Sequence, residues 1–269
     1  MERKDIAEVV NTVVERVLKR LEDTSHGELP TPADERMYGE RLVRLHQAVE
    51  QGASRLTPQA FALDQCGDLA PLIEQIFLRP DARASEILDL CRDAIERRCV
   101  AVCVDLEWTE TASAALRGSG VHLSIPVGFP TGTISTEAKT AEVRRAVGLG
   151  ADEVDVVLNL DALRAADYNM VTRDLRAMVR AAQGRTVKAV VEAAGLTREQ
   201  KTAAAILAKG GGACDVKSST GFGPDAVTVG DVALLRAALM GLSPPDAATR
   251  PEWPARVGAV VCLSIRQKP

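Results

Sequence analysis

The chain has 269 residues, a net charge of −4 with dispersed Lys and Arg, and 3% aromatic residues. Its length suits one α/β barrel, for which about 250 residues is typical, together with an appendage. Because the sequence has neither a clustered basic stretch nor many aromatic side chains, it argues against a nucleic-acid partner.

The cysteines and histidines bear on the redox compartment and on the kinds of catalytic or metal site that the chain could form. The six cysteines form no CxxC pair and several lie in apolar runs, which indicates buried thiols in a reducing cytoplasm. His26, His46 and His122 are widely separated, so neither a histidine metal site nor a Ser-His-Asp triad is favoured. No apolar run reaches the length of about 18 residues that indicates a membrane span, and no secretory signal is visible. We therefore expect a cytoplasmic protein without a membrane partner.

The first 22 residues predict an amphipathic helix. Apolar residues recur at helical spacing from Ile6 to Leu21, and residues 23–33, with two prolines and a glycine, predict a linker. One interpretation is a helix that packs on the domain or mediates dimerisation. The other is a docking tag, because residues 1–22 resemble the encapsulation peptides that carry enzymes into bacterial microcompartments. This second interpretation implies a shell protein as a partner, bound by the apolar helix face.

Strands and helices alternate from residue 72 to residue 240, after a predicted helical extension at 34–71. This alternation predicts parallel βαβ units, as in a TIM-type (β/α)8 barrel, followed by a divergent tail at 241–269. The predicted strands span 72–78, 100–105, 121–129, 153–159, 186–193 and 214–219, and the predicted helices span 84–98, 136–149, 169–182, 197–209 and 228–240.

Charged residues interrupt three of the predicted strands. Side chains alternate along a strand, so Asp155 lies on one face while Val154 and Val156 lie on the other. The same alternation lets Lys188 and Lys217 point inward from their own strands. A charge inside a buried strand is costly unless it is paired or functional. If the three strands are neighbours, about 4.8 Å apart, the three charged side chains meet in the interior.

Two lysines and an aspartate in one buried site fit a specific chemistry and also a purely structural role. Repulsion and burial favour a depressed pKa for at least one ammonium group, and a neutral amine can attack a carbonyl carbon. The second lysine would then be the perturbing cation, and Asp155 would move protons. The alternative is a buried salt bridge that orders the barrel, and the spacing alone does not decide between the two.

Five motifs, in order and spacing, resemble the deoxyribose-phosphate aldolase family. They lie at residues 72–80, 127–132, 153–157, 187–192 and 216–223. The resemblance implies a (β/α)8 barrel and a class I aldolase without metal or cofactor, which reversibly cleaves 2-deoxyribose 5-phosphate to glyceraldehyde 3-phosphate and acetaldehyde. By motif position it implies that Lys188 is the Schiff-base lysine, that Lys217 is the second lysine, and that Asp155 is the proton relay. It also implies that the backbone N–H of Gly221 helps to hold the substrate phosphate.

The chain departs from the family pattern at both ends of the match. Glu74-Gln75-Ile76 stands where the family has Asp and, two residues later, Thr. The stretch 241–254 is proline-rich and the run 257–265 offers one further strand, so we expect a barrel that is incomplete in strands seven and eight, with an atypical, truncated end. Two alternatives therefore stay open: an inactive barrel remnant that acts as a scaffold or shell-associated protein, and an aldolase for a different, unphosphorylated aldehyde. A homo-oligomer is compatible with the sequence, which does not decide the oligomeric state.

Overall fold

The structure is a computed structural model, and it describes the barrel region of the chain. The described residues are 70–223, 227–241 and 259–260, together with Asn11, Val14 and Glu15.

The predicted N-terminal helix is described at three positions only. Asn11, Val14 and Glu15 are helical, and the side chain of Val14 is 7% exposed and belongs to the same hydrophobic cluster as the buried residues of the barrel. Both interpretations of residues 1–22 stay predictions. The predicted linker at 23–33 and the predicted extension at 34–71, except its last two residues, lie outside the described residues.

Seven parallel strands form one sheet, and their order in the sheet is their order in the chain. The six strands predicted from the sequence are confirmed, with shorter ends, and the run 257–265 supplies the seventh strand. The strands are β1 (Glu74–Phe77), β2 (Ala101–Val104), β3 (His122–Val127), β4 (Glu153–Val157), β5 (Thr186–Val190), β6 (Asp215–Lys217) and β7 (Ala259–Val260).

Helices connect the strands, and the five helices predicted from the sequence are confirmed. Two shorter ones, α2 and α4 in the following series, have 8 and 5 residues, which is too short for a clear helical pattern in the sequence. The helices are α1 (Ala84–Glu96), α2 (Thr109–Leu116), α3 (Thr136–Gly148), α4 (Leu160–Arg164), α5 (Tyr168–Ala181), α6 (Arg198–Gly211) and α7 (Val229–Gly241). Short 3-10 turns occupy Ala70–Leu72, Leu106–Trp108 and Ala193–Gly195.

The ends of the helices follow from local hydrogen bonding. Ser135 Oγ accepts from the N–H of Ala138 at the start of α3, and Thr197 and Gln200 form a reciprocal capping box at the start of α6. Gly212 ends α6 at φ +101°, in the left-handed region that favours glycine. The Gly212 cap lies between the end of α6 and the start of β6 at Asp215.

The strands curl into an incomplete TIM-type barrel, as predicted. The β2 residues Val102 and Val104 and the β4 residues Val154 and Val156 are fully buried, which gives the near-continuous apolar composition of strands that are covered on both faces. β1 pairs with β2 and β7 pairs with β6, and within the described ranges no pairing joins β1 to β7. In the described part of the chain, none of the helices combines the length and the apolar composition needed to cross a membrane.

Candidate active site

Five charged side chains meet inside the barrel. Lys188 of β5, Lys217 of β6 and Asp155 of β4 lie together, as predicted, and Glu74 of β1 and Glu153 of β4 join them. None of the five residues is more than 3% exposed. We call Glu74, Glu153, Asp155, Lys188 and Lys217 the interior cluster. Its two lysines and three carboxylates are held by rigid strands, which fixes their distances.

Lys188 is fully buried and surrounded by carboxylates. Its Nζ lies 2.5 Å from Oε2 of Glu74, 2.8 Å from Oδ1 of Asp155 and 3.0 Å from Oε2 of Glu153. Three negative neighbours in a site closed to water strongly favour the ammonium form of this side chain.

Lys217 shares two of these carboxylates. Its Nζ donates to Oε1 of Glu74 at 2.8 Å and to Oδ2 of Asp155 at 2.6 Å. Glu74 and Asp155 therefore each use one oxygen for Lys217 and the other for Lys188. Two carboxylates thus bridge the two ammonium groups, and this arrangement offsets the repulsion expected from the lysines alone.

The register of β5 and β6 places the two lysines at different depths. Lys188 pairs with Asp215, whereas Lys217, two residues further along β6, pairs with Val190. Because the strands are parallel, Lys217 is nearer than Lys188 to their carboxyl ends. In TIM-type barrels the active site lies at that end.

Asp155 is held ionised by its neighbours. Burial alone would raise the pKa of Asp155, but the charges of Lys188 and Lys217 and their hydrogen bonds outweigh burial and hold that pKa well below its usual range. Ser124 Oγ also donates to Oδ1 of Asp155 at 2.7 Å. Each oxygen of this carboxylate is thus oriented by a lysine, and one of them also by a hydroxyl.

Comparisons with known proteins identify the family of this chain. The model of the DeoC/LacD family of aldolases matches residues 59–218, more than half of the chain. The chain belongs to this family. It is therefore an aldolase-type lyase.

Two relatives and two solved structures give the extent of the similarity. Deoxyribose-phosphate aldolase of Streptococcus sanguinis is 42% identical over 164 residues, which cover 61% of this chain and 74% of the relative. Deoxyribose-phosphate aldolase of an Exiguobacterium species is 40% identical over 170 residues, covering 63% and 77%. The structure of QR15, an aldolase, superposes with a TM-score of 0.63 at 30% identity, over 65% of this chain and 79% of that one. A tetrameric deoxyribose phosphate aldolase from Aeropyrum pernix superposes with a TM-score of 0.60 at 26% identity, over 72% and 80%.

Glu74 and Glu153 are the members of the cluster of this aldolase that sequence reasoning did not select. In the sequence, Glu74 is only a departure from the family pattern. In the structure its carboxylate is buried and forms ion pairs with both lysines. Glu153 precedes Asp155 by two residues, so strand alternation would have placed it on the same inward face. Its Oε1 also lies 2.9 Å from Nδ1 of His122, the exposed first residue of β3. This contact connects the interior cluster to the surface.

One group of side chains resembles a set of metal ligands. Ligand atoms of Glu74, Cys103 and Asp155 lie within 4.8 Å of one another. Both carboxylates already bind the lysine ammonium groups, and burial raises the pKa of the Cys103 thiol well above its usual value, so the thiol keeps its proton. A metal ion would have to displace two cations and a proton, so these residues fit lysine chemistry better.

Gly221 lies in the loop that follows β6, close in sequence to Lys217. Its φ is +80°, in the left-handed region that favours glycine, and its N–H donates to Oγ of Ser219 at 2.9 Å. The predicted contact between this N–H and a substrate phosphate stays a prediction, because the structure contains no substrate.

Proposed function

We propose that this aldolase reversibly cleaves 2-deoxyribose 5-phosphate to glyceraldehyde 3-phosphate and acetaldehyde through a lysine Schiff base. The observation that carries the proposal is the pair of buried lysines, bridged by Glu74 and Asp155, inside the barrel. Relatives at about 40% identity, named deoxyribose-phosphate aldolase, support the choice of substrate.

The geometry favours Lys217 as the nucleophile, whereas motif position favoured Lys188. Lys217 lies nearer the carboxyl ends of the strands, where a substrate enters a barrel of this type. Lys188 is completely buried and has three carboxylate neighbours, so deprotonating it would take the adjacent ammonium group away from Glu153, whereas deprotonating Lys217 leaves all three carboxylates next to Lys188. We therefore assign the Schiff base to Lys217. To Lys188 we assign the role of a cation that stays protonated and compensates the negative charge of the carboxylates.

The first step requires a neutral amine on Lys217. Glu74 and Asp155, both within hydrogen-bond distance of its Nζ, are placed to take the proton as the substrate aldehyde enters. The amine adds to carbon 1 of the sugar, and loss of water gives an iminium. The iminium accepts the electron pair of the bond between carbons 2 and 3 when that bond breaks.

The remaining steps move protons. A base removes the proton of the hydroxyl on carbon 3 as the phosphorylated aldehyde leaves, and the enamine is then protonated at carbon 2 and hydrolysed to acetaldehyde. Asp155 fits this relay because its low pKa depends on the positive charges of Lys188 and Lys217. When Lys217 is no longer an ammonium group, the proton affinity of Asp155 rises, so it can take up a proton and return it.

Borohydride trapping tests the proposal directly. The wild-type protein is incubated with acetaldehyde or 2-deoxyribose 5-phosphate, reduced, and digested for peptide mass spectrometry. We expect the adduct on Lys217, and its loss in Lys217→Met. An adduct on Lys188 would instead support the assignment made from motif position. No adduct in a folded sample would favour the inactive scaffold.

Rates with and without the substrate phosphate separate the two aldolase alternatives. TIM-type barrels commonly bind phosphate after strands seven and eight, and beyond residue 241 the structure describes only residues 259–260. If 2-deoxyribose is cleaved as efficiently as its 5-phosphate, judged by kcat/KM, the enzyme acts on an unphosphorylated aldehyde.

Delivery into a microcompartment by residues 1–22 stays a prediction. The burial of Val14 favours a helix that packs on the barrel. Deleting residues 1–22 distinguishes the two interpretations, because loss of a packed helix lowers the thermal stability of the enzyme. Loss of a tag changes only where the enzyme lies in cells that make such compartments.

A further inference from the structure

Glu192 adopts an unusual backbone conformation at the carboxyl end of β5. Its φ is +47° and its ψ is +59°, in the left-handed region that residues other than glycine rarely occupy. Glu192 is only 8% exposed, although its side chain carries a carboxylate. Strained conformations of this kind persist where surrounding contacts hold them, and they are concentrated at functional sites.

The carboxylate of Glu192 is satisfied entirely by the loop that follows β6. Its Oε1 accepts from Oγ of Ser219 at 2.9 Å, and its Oε2 accepts from the N–H of Thr220 at 3.0 Å and from Oγ1 of Thr220. Among the residues that the structure describes, no lysine, arginine or histidine forms an ion pair with it. A buried carboxylate of this kind depends on its hydrogen bonds, so the loop and Glu192 hold each other in place.

These bonds continue through the loop. Oγ of Ser219 accepts from the N–H of Gly221 at 2.9 Å, and Oγ1 of Thr220 accepts from the N–H of Phe222 at 3.1 Å. The two hydroxyls that donate to Glu192 therefore also accept from the next backbone groups along the loop. One carboxylate thus determines the orientation of the segment that begins two residues after Lys217.

Gly223, at the end of the loop, also packs closely against the carboxylate of Glu192. A Cβ built on Gly223 would lie 2.7 Å from Oε1 and 3.0 Å from Cδ of Glu192. The end of the loop therefore packs directly against the carboxylate, and even one methyl group would displace it.

We propose that Glu192 is a positioning residue that shapes the loop at 219–223 to bind the part of the substrate beyond the reacting aldehyde. The inference rests on the proposed function, because that loop follows the strand of Lys217 at the end of the barrel where substrates bind. Glu192 touches neither lysine in the structure, so it acts on substrate affinity through Ser219 and Thr220 and leaves the amine chemistry alone.

The test compares a full substrate with a two-carbon fragment. In Glu192→Gln an amide NH2 replaces one acceptor oxygen and meets the donors of Ser219 or Thr220. We expect KM for 2-deoxyribose 5-phosphate to rise by about tenfold or more, with a smaller change in kcat. Borohydride trapping of acetaldehyde on Lys217 should stay at the wild-type level, because acetaldehyde is too short to reach the loop.

Gly223→Ala provides a second variant that disturbs the same contact without altering a charge. It should raise KM in the same direction and leave trapping unchanged. The matched controls are Gly148→Ala, where a Cβ would meet nothing within 4 Å, and Glu110→Gln, an exposed carboxylate. Both controls should keep the wild-type KM.

The outcomes separate this inference from the proposed function. An unchanged KM in both variants, with trapping intact, overturns the role of Glu192 and leaves the aldolase proposal standing. A fall in trapping that matches the fall in kcat/KM also overturns it, because the residue would then act on the amine. No trapping in the wild-type protein overturns both.

Discussion

Among the described residues, buried lysines lie in two places, and the contrast between them separates an isolated ion pair from a shared network of charges. Lys139 of α3 is fully buried and donates to Oδ2 of Asp174 at 2.6 Å and to the carbonyl oxygen of Val157 at 2.9 Å. This outer pair joins α3, α5 and the end of β4. In the interior cluster, by contrast, each of two carboxylates serves two lysines.

The two places differ in what happens to the neighbouring carboxylates when one lysine loses its proton. Deprotonating Lys139 would leave the buried carboxylate of Asp174, whose Oδ1 has no hydrogen-bond partner among the described residues, without its cation. Deprotonating Lys217 leaves Glu74 and Asp155 still bound to Lys188. A shared network can therefore pass through the neutral-amine state that Schiff-base chemistry needs, and an isolated pair cannot. Burial of a lysine is not evidence of catalysis by itself.

Replacing each lysine by methionine gives the largest expected contrast. Lys217→Met should reduce turnover to background, because it removes the amine proposed to form the Schiff base, and the neighbouring Lys188 is held by three carboxylates. Steady-state cleavage rates measure the effect, and circular dichroism establishes that the variant is folded. Lys139→Met is the matched control, since it also exchanges a buried lysine for an apolar chain, and it should keep its rate per folded molecule. Equal losses of rate in both would remove the distinction.

Asp155→Asn tests the proton relay within the interior cluster. The amide keeps the shape of the side chain but cannot take up the proton that Lys217 releases. We expect kcat to fall by about 100- to 10,000-fold, the range typical of a lost general base. A pH profile of kcat adds a readout that a purely structural role would not change. Retention of more than half of the wild-type kcat would exclude a relay through Asp155.

For the outer pair the expected loss is one of stability. Lys139→Met should lower the free energy of unfolding by about 3–5 kcal/mol, because it leaves Asp174 buried and unpaired. Urea denaturation measures this. The double variant Lys139→Met, Asp174→Leu should recover much of the loss, since removing both charges is far less costly than removing one. If the single and double variants are equally unstable, the loss comes from packing and not from the ion pair.

The sequence predicts the strands and three of the five residues of the interior cluster, and there are physical reasons why it does not predict the other two. Strand alternation and neighbouring strands were enough to bring Asp155, Lys188 and Lys217 together. Glu74 contacts these lysines across 114 and 143 positions of sequence, because the curling of the sheet carries β1 over to β5 and β6. No local pattern encodes that approach.

Two other features depend on packing that the sequence does not reveal. Lys139 lies in an amphipathic helix where a lysine normally indicates the solvent face, and its burial follows from how α3 and α5 meet. Glu192 ends an apolar strand, and nothing in the sequence indicates its left-handed backbone conformation. Its carboxylate is hydrogen-bonded to Ser219 and Thr220 in the loop that follows β6, and the sequence gives no sign of these contacts.

The smallest expected effect is the pH dependence of stability that Asp155 contributes. Its pKa in the folded protein is lower than the value of about 3.9 typical of an unfolded chain. The folded state therefore binds this proton more weakly than the unfolded state does, so the contribution is fully present above that unfolded value and is lost as pH falls below it. Urea unfolding of wild type and Asp155→Asn from pH 6 to pH 3 measures the difference. The stability gap between the two proteins should narrow as pH falls, because the unfolded wild type takes up a proton at Asp155 that the folded state binds only weakly, whereas the amide of the variant takes up none in either state. A gap that is constant with pH would mean that Asp155 contributes by shape and hydrogen bonding, and the interior cluster would then resemble the outer pair.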